Sequence, residues 1–529
     1  MQREVDVVVL GAGPVGENVA DRVRAAGLDV VVVEHELVGG ECSYWACVPS
    51  KVLLRSAAAL RAAKRVPGAA DAVTGGLDVE AVLRRRDYWV SDWSDHGAVE
   101  WLEGAGIGLE RGHGRLDGAR RVVIAHDDGL DDADGAGGSD AGTADGAGGS
   151  DAGTAAGAVT LVARHAVVVA TGSDPVIPPI PGLAESAPWT SREATSVERV
   201  PRRLAIIGGG VVACEMATAY AGFGTEVTVL ARSSLLGGME PFVGDAVAEG
   251  LRGLGATVRT GVQATAVERT DGGEVVLTLD DGSTVSADEV LVATGRKPRT
   301  DAIGLETVGL VPGDWLRVDD SLRVEGVEGV EGVEGVEVAS DGSGGASDAE
   351  AAPPWLYAAG DVNHRALLTH QGKYQGRAVG DLVAARATGH PVDLADWGVH
   401  VATADHVAVP QVVFAEPEAV AVGLTEAQAV RSGRRVRTAE VAMTSASGTG
   451  ILADGADGRA KLVVDDERGT VVGATFTGQD VAELLHAATV AIVGEVPVDR
   501  LWHAVPAFPT VSEIWLRLLE ELGRPEATA

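Results

Sequence analysis

Two of the three cysteines in this 529-residue chain could do chemistry together. Cys42 and Cys47 stand with four residues between them in Gly39-Gly40-Glu41-Cys42-Ser43-Tyr44-Trp45-Ala46-Cys47-Val48-Pro49-Ser50-Lys51. Thiols at this spacing on or near a helical turn can meet as a reversible disulfide, and Pro49-Ser50 supplies the start signals of a following helix. Zinc is the competing chemistry, but it needs a second pair of ligands at similar spacing. The remaining cysteine, Cys214, is far away in another context, so no metal site is expected. Two buried, inert thiols are the plain alternative.

The elements before the pair suggest its electron source. Asp6-Val7-Val8-Val9-Leu10 is an apolar run ending at Gly11-Ala12-Gly13-Pro14-Val15-Gly16. A helical pattern follows from Glu17, and a second run, Asp29-Val30-Val31-Val32-Val33, ends in Glu34, 23 residues after Gly11. This is the pattern of a strand–helix–strand unit whose glycines allow a tight turn and close approach of backbone to a pyrophosphate. Glu34 stands where a carboxylate accepts hydrogen bonds from an adenosine ribose. A dinucleotide site just upstream of two cysteines points to a redox-active disulfide lying against a bound flavin.

The pattern recurs at Arg203-Leu204-Ala205-Ile206-Ile207-Gly208-Gly209-Gly210-Val211-Val212-Ala213-Cys214-Glu215, with Glu226-Val227-Thr228-Val229-Leu230 as its second strand. Two further buried runs close on a glycine turn, one through Ala170-Thr171-Gly172-Ser173 and one through Ala293-Thr294-Gly295-Arg296. Two related nucleotide-binding domains are implied. Ala231 stands 23 residues after Gly208, the place Glu34 holds after Gly11, and Arg232 follows it, ahead of Ser233 and Ser234. An arginine there can pair with a 2′-phosphate, so NADPH is expected in preference to NADH.

A formal charge of −34 argues against a nucleic-acid backbone or an anionic membrane as partner. Residues 126–158 and 324–350 hold eight carboxylates each, so part of the acidity is local and speaks to solubility. In the first stretch residues 134–144 recur unchanged at 145–155; the second runs Val-Glu-Gly in tandem before dissolving into Ser, Gly, Asp and Ala. Both read as disordered insertions, 126–158 and 324–354. The first is expected at the tip of a hairpin formed by Arg121–Ile124 and Val159–Val162, where length costs little. No window approaches 18 apolar residues, the opening Met-Gln-Arg-Glu has no cleavage signal, and three cysteines make no secreted framework. A cytoplasmic location is expected. Ile514–Glu520 shows an apolar helical stripe suited to a core or a subunit contact.

The order of these motifs resembles the class I pyridine nucleotide–disulfide oxidoreductases, over essentially the whole chain apart from the two insertions. The resemblance implies an α/β fold with two Rossmann-like domains and a carboxy-terminal α+β dimerisation domain that makes a homodimer. The FAD-binding domain would take 1–197 and 312–400, the NAD(P)-binding domain 198–311 and the dimerisation domain 401–529. FAD contacts are implied at Gly11, Gly13, Gly16, Glu34, Lys51, Gly114, Thr171, Gly172, Ser173 and Asp361. NAD(P) contacts are implied at Gly208, Gly210, Ala213, Glu215, Arg232 and Gly295. Lys51 would lie near flavin N5 and pair with Glu215. Cys47 would face the flavin as a thiolate, its pKa lowered near a helix start, and Cys42 would be the interchange thiol that meets substrate.

The chain departs from the family in three places. The tyrosine that gates the nicotinamide in many relatives is Val211, as in mercuric reductases. The terminal cysteine pair of those enzymes is missing from Pro525-Glu526-Ala527-Thr528-Ala529, so mercury reduction is not expected. The acid–base motif His-Pro-Thr-x-Ser-Glu, which the partner subunit contributes, reads Phe508-Pro509-Thr510-Val511-Ser512-Glu513. Glu513 is kept, the imidazole is not, and His503 lies five residues too early to replace it. Loss of that acid–base help costs thiol–disulfide exchange roughly 100- to 10,000-fold. The expected enzyme is therefore an FAD-dependent NAD(P)H oxidoreductase passing hydride from nicotinamide to FAD and the Cys42–Cys47 disulfide. Its small-molecule acceptor is then a quinone or a disulfide. The alternatives are a dihydrolipoyl dehydrogenase and a nucleotide-binding redox sensor of low turnover.

Overall fold

The computed structural model describes residues 1–125, 158–327 and 353–524. The disorder expected of the two insertions falls almost wholly outside these residues, as does the tail from 525. The chain forms two compact units: residues 1–40, 95–173 and 298–402 make the first, and 41–94, 174–297 and 403–529 the second.

In the first unit, valine-rich runs buried on both faces build a mainly parallel sheet. The strand Gln2–Leu10 pairs in parallel with Val30–Glu34 on one side and Val159–Val169 on the other. Gly108–Arg111 extends the sheet beyond Val30–Glu34, and Leu356–Ala358 adds a parallel partner to Val159–Val169. Arg121–Ala125 runs antiparallel to Val159–Val169 with Arg121 opposite Val162 and Ile124 opposite Val159, which is the register of the expected hairpin.

Helix Pro14–Ala25 begins at the first fingerprint and packs on helix Thr369–Thr388. Glycines 372, 376 and 380 give the longer helix a bare stripe at four-residue spacing. A Cβ on them would come within 2.6 Å of Val15 Cγ2, 2.9 Å of Val15 O and 2.8 Å of Arg22 Cβ, so the axes approach only because these side chains are missing.

Glu17 sits in the first turn of the shorter helix. Burial pushes its carboxyl from the ordinary 4.5 to about 7, against an opposing pull from Lys373. The folded state therefore keeps a proton that the unfolded chain releases at about pH 4.5. The associated stability is fully present below that pH and is lost as pH rises through about 7. Glu17→Gln is expected to melt like the parent at pH 4 and higher than the parent at pH 8. The gain is at most about 3 kcal/mol, reduced where solvent reaches the group, and thermal melts at the two pH values measure it.

Three of the sheets among the described residues lie wholly within the second unit. Thr257–Thr260, Glu226–Ala231, Arg203–Ile207 and Glu289–Val292 lie side by side in parallel, the arrangement the second fingerprint requires. Ala264–Arg269, Val275–Leu279 and Thr284–Ala287 form an antiparallel meander. Gln411–Val413, Glu418–Gly423, Thr470–Gly478, Gly458–Asp465 and Val436–Ala442 form a five-stranded antiparallel sheet in that order. Helix Ile514–Leu522 buries Ile514, Leu518 and Leu519 in the core of this last sheet, so its apolar stripe faces the interior of its own chain. The fold is α/β with two nucleotide-binding sheets and a carboxy-terminal α+β domain.

Candidate functional site

The first fingerprint is held by backbone contact rather than by side chains. Gly11 has φ +101°, and a Cβ there would stand 2.5 Å from Ala170 O. Gly208, with φ +136°, meets Ala293 O at 2.2 Å in the same way. Each turn thus rests on the alanine of its own Ala-Thr-Gly strand, and the two halves share one construction. Gly16 is needed for a different reason, since a Cβ would run into Gly11 O at 1.9 Å.

The middle glycines behave otherwise. A Cβ on Gly13 would meet only Gly40 Cα, at 4.0 Å, and one on Gly210 would meet nothing within 4 Å. Nothing among the described residues demands a bare backbone at these two positions. A pyrophosphate drawn against the helix start would. Gly172 and Gly295 are likewise open, each at positive φ. Gly114 is set by packing, its missing side chain making room for Val33 and Leu10.

Glu34 is buried, and its carboxylate accepts from Ala12 N at 2.8 Å and Glu36 N at 2.9 Å. Burial works to raise its pKa, but His35 and these two amides prevail and hold it below the usual glutamate value. The Glu34 carboxylate is thus charged and tied to the fingerprint turn. Ser173 Oγ donates to Asp361 Oδ2 at 2.6 Å, and Thr171 Oγ1 donates to Arg299 O at 2.8 Å. Gln375, which the sequence did not mark, accepts from Gly360 N and Asn363 Nδ2 and so fixes the loop carrying Asp361. A charged ribose acceptor, an open glycine at the pyrophosphate position and a fixed aspartate after the last strand suit FAD.

In the second unit Cys47 is the first residue of helix Cys47–Lys64, where the positive end of the helix dipole favours a thiolate. One turn on, Lys51 Nζ lies 2.7 Å from Glu215 Oε2, as the resemblance implied. Glu215 is 3% exposed, and its other oxygen accepts from Phe414 N at 3.1 Å. The ammonium of Lys51 also lies 5.2 Å from the Phe414 ring centroid. Phe414 was missed because its role depends on a backbone N–H and a ring face, neither of which has a sequence signature. Cys214 is buried beside Glu215, and burial pushes its thiol up to about 12, which makes it chemically inert.

The loop between the cysteines is clamped by residues the motif does not contain. The Arg192 guanidinium lies 4.1 Å from the Trp45 ring centroid and 3.2 Å from Glu41, while Arg296 reaches Glu41 at 3.9 Å. Thr195 Oγ1 donates to Trp45 O at 2.8 Å. The aromatic pair inside the motif was the only available hint that such partners exist.

At the second fingerprint Ala213 and Ala231 are buried, while Arg232, Ser233 and Ser234 are exposed just past the strand end. The carboxy-terminal motif places Phe508 in solvent at 74% exposure and Glu513 in the interior at 5%. Arg517 meets one Glu513 oxygen at 3.4 Å, and the other has no hydrogen-bond partner among the described residues. Glu513 therefore makes no bond to the cysteines, Lys51 or Glu215 of its own chain. His503 is exposed. Among the described residues no group of three or more His, Cys, Asp or Glu could hold a metal ion, and no helix is long and apolar enough to cross a membrane.

Comparison with known proteins agrees with this construction. Residues 5–331 match the family model described as pyridine nucleotide-disulphide oxidoreductase, and residues 409–518 match the dimerisation domain of the same enzymes. A dihydrolipoyl dehydrogenase of Bacillus subtilis is 30% identical, with 99% of this chain and 97% of that protein covered. A mercuric reductase of Shigella flexneri is also 30% identical, over 94% of this chain and 77% of the other. Among solved structures, the HOCl-induced flavoprotein disulfide reductase RclA of Escherichia coli, as a Cu(II) complex, shares the fold with TM-score 0.76 at 19% identity, covering 98% of this chain and 99% of the other. LpdA of Mycobacterium tuberculosis does so with TM-score 0.74 at 22%, covering 98% and 100%. The chain belongs to the pyridine nucleotide–disulfide oxidoreductases, FAD-dependent enzymes that use NAD(P)H.

Proposed function

We propose that this enzyme oxidises NADPH, reduces a Cys42–Cys47 disulfide, and passes the electrons to an acceptor that needs no imidazole, with a quinone as the favoured class. FAD, when bound, supplies the two-electron carrier between nicotinamide and disulfide. The observation that carries the reading is the contrast between the two ends of the machinery. The Lys51–Glu215 pair is intact at 2.7 Å, whereas Glu513 keeps a buried oxygen without a partner among the described residues and Phe508 stands in place of the base. The proposed working form is a cytoplasmic homodimer with domains at 1–197 with 312–400, 198–311 and 401–529. Within it the FAD-contacting residues are those implied by the resemblance.

Stopped-flow mixing with dihydrolipoamide tests the acceptor reading. Slow flavin reduction is expected, and a rapid phase would make the protein a dihydrolipoyl dehydrogenase, the activity its 30%-identical relative is named for. A redox sensor of low turnover would instead give no long-wavelength thiolate–flavin absorbance on NADPH titration.

The nicotinamide preference rests on Arg232 following a buried alanine where the first fingerprint has Glu34. Arg232→Ala is expected to raise KM for NADPH about 10- to 100-fold, the value of a charge-assisted hydrogen bond to phosphate, and to leave NADH unaffected. Steady-state kinetics with both nucleotides checks it, and equal effects on the two would remove the assignment.

A further inference from the structure

A cavity of about 550 Å³ runs along one face of helix Cys47–Lys64. Cys47, Lys51 and Phe414 line it half-buried, and Arg55 of the same helix and Arg65, just past its end, line it exposed. Arg85 and Trp89 of helix Val79–Trp89 contribute a further wall, with the Arg85 guanidinium 5.8 Å from the Trp89 ring centroid.

The charges around this cavity do not cancel. Arg61 and Arg65 share a single carboxylate, Glu416, at 2.9 and 2.7 Å. Lys51 is taken by Glu215. Arg55 and Arg85 make no ion pair among the described residues. The facing carboxylates are Glu416, Glu418 and Asp480. Burial, with Asp480 and Glu416 adding to it, holds Glu418 above the ordinary glutamate value, against backbone hydrogen bonds from Ala482 and Val481. An apolar slot with two ring faces and a surplus of guanidinium groups thus opens beside Cys47, in a chain of net charge −34.

We propose that this cavity is the acceptor site and that it takes a planar aromatic anion, a quinone bearing a carboxylate or sulfonate. The inference rests on the quinone reading above and names the class of quinone. The rings lie against Trp89 and Phe414, the acid group meets Arg55 and Arg85, and the quinone lies against Cys47. A neutral quinone gains the apolar contacts alone. The reaction balances as NADPH, one proton and quinone giving NADP⁺ and hydroquinone, with both electrons from the nicotinamide and the second proton from solvent.

The test compares naphthoquinone sulfonate with uncharged naphthoquinone on the FAD-loaded enzyme and on an Arg55→Gln/Arg85→Gln variant. Both side chains are exposed, so the variant folds. The sulfonate is expected to show KM about 10-fold or more below the uncharged quinone, and the variant to remove that advantage. Equal KM values for the two quinones, or an unchanged ratio in the variant, would overturn the proposal. If neither quinone turns over while NADPH still reduces the flavin, the quinone reading and the acceptor role both fall. Equilibrium dialysis of redox-inert naphthalene sulfonate then judges the cavity by itself. Saturable binding weakened about 10-fold or more in the variant supports the anion site, and absent or unaltered binding overturns it.

Discussion

Phe508→His is expected to raise kcat/KM for dihydrolipoamide by about 100-fold or more, the range supplied by a positioned general acid–base group. The rest of the motif is in place. Glu513 is 5% exposed, is held by Arg517 through one oxygen, and has its second oxygen without a partner among the described residues. A buried acceptor left in that state is costly, and an imidazole N–H would satisfy it while gaining an orienting group. The restored rate should depend on pH with a midpoint near the ordinary histidine value of about 6.5, which the parent lacks. Phe508→Ala is the control. Because the phenyl ring is 74% exposed, its removal alone should change little. An alanine variant as fast as the histidine variant would mean that Phe508 acts by obstruction and that proton transfer is not the missing element.

Cys47→Ser is expected to abolish the long-wavelength thiolate–flavin absorbance and to lower disulfide turnover by about three orders of magnitude or more, as removal of a reacting nucleophile does. The hydroxyl at the start of helix Cys47–Lys64 cannot ionise at neutral pH, whatever the helix terminus contributes. NADPH should still reduce the flavin, since Lys51, Glu215 and Phe414 are untouched. Anaerobic titration followed by absorbance separates the two effects. Cys214→Ser should change neither, because burial already pushes that thiol up to about 12. Full disulfide turnover by the Cys47 variant would remove the pair from the proposed path.

Much of the candidate site could be read along the chain because its signals are local. Gly11, Gly13 and Gly16, and again Gly208, Gly210 and Ala213, occur at fixed offsets since one turn must clear a neighbouring strand while another must admit a ligand. The apolar valine runs announced buried strands, and the Arg121–Ile124 and Val159–Val162 pairing followed from their place on either side of an insertion. Gln375, Phe414, Arg192 and Arg296 were not legible. Each acts through a backbone N–H, a ring face or a charge that lies far off in sequence. No spacing rule connects Arg192 to Trp45 or Gln375 to Gly360.

The residue types, taken alone, set the expected chemistry: two cysteines before a helix, two dinucleotide turns, Arg232 at the end of the second of them, and Phe508 where the resemblance implies a histidine. Those follow from composition at fixed offsets, which the chain carries whether folded or not. The tertiary structure decided which groups are charged, satisfied or open. It buried Glu34 yet kept it ionised, made Cys214 inert, and joined Lys51 to Glu215 across 164 residues. It also left one oxygen of Glu513 without a partner among the described residues and set Arg55, Arg85 and Trp89 around a cavity that begins at Cys47. Burial and long-range contact set the energy of a charge, and only the folded chain determines them.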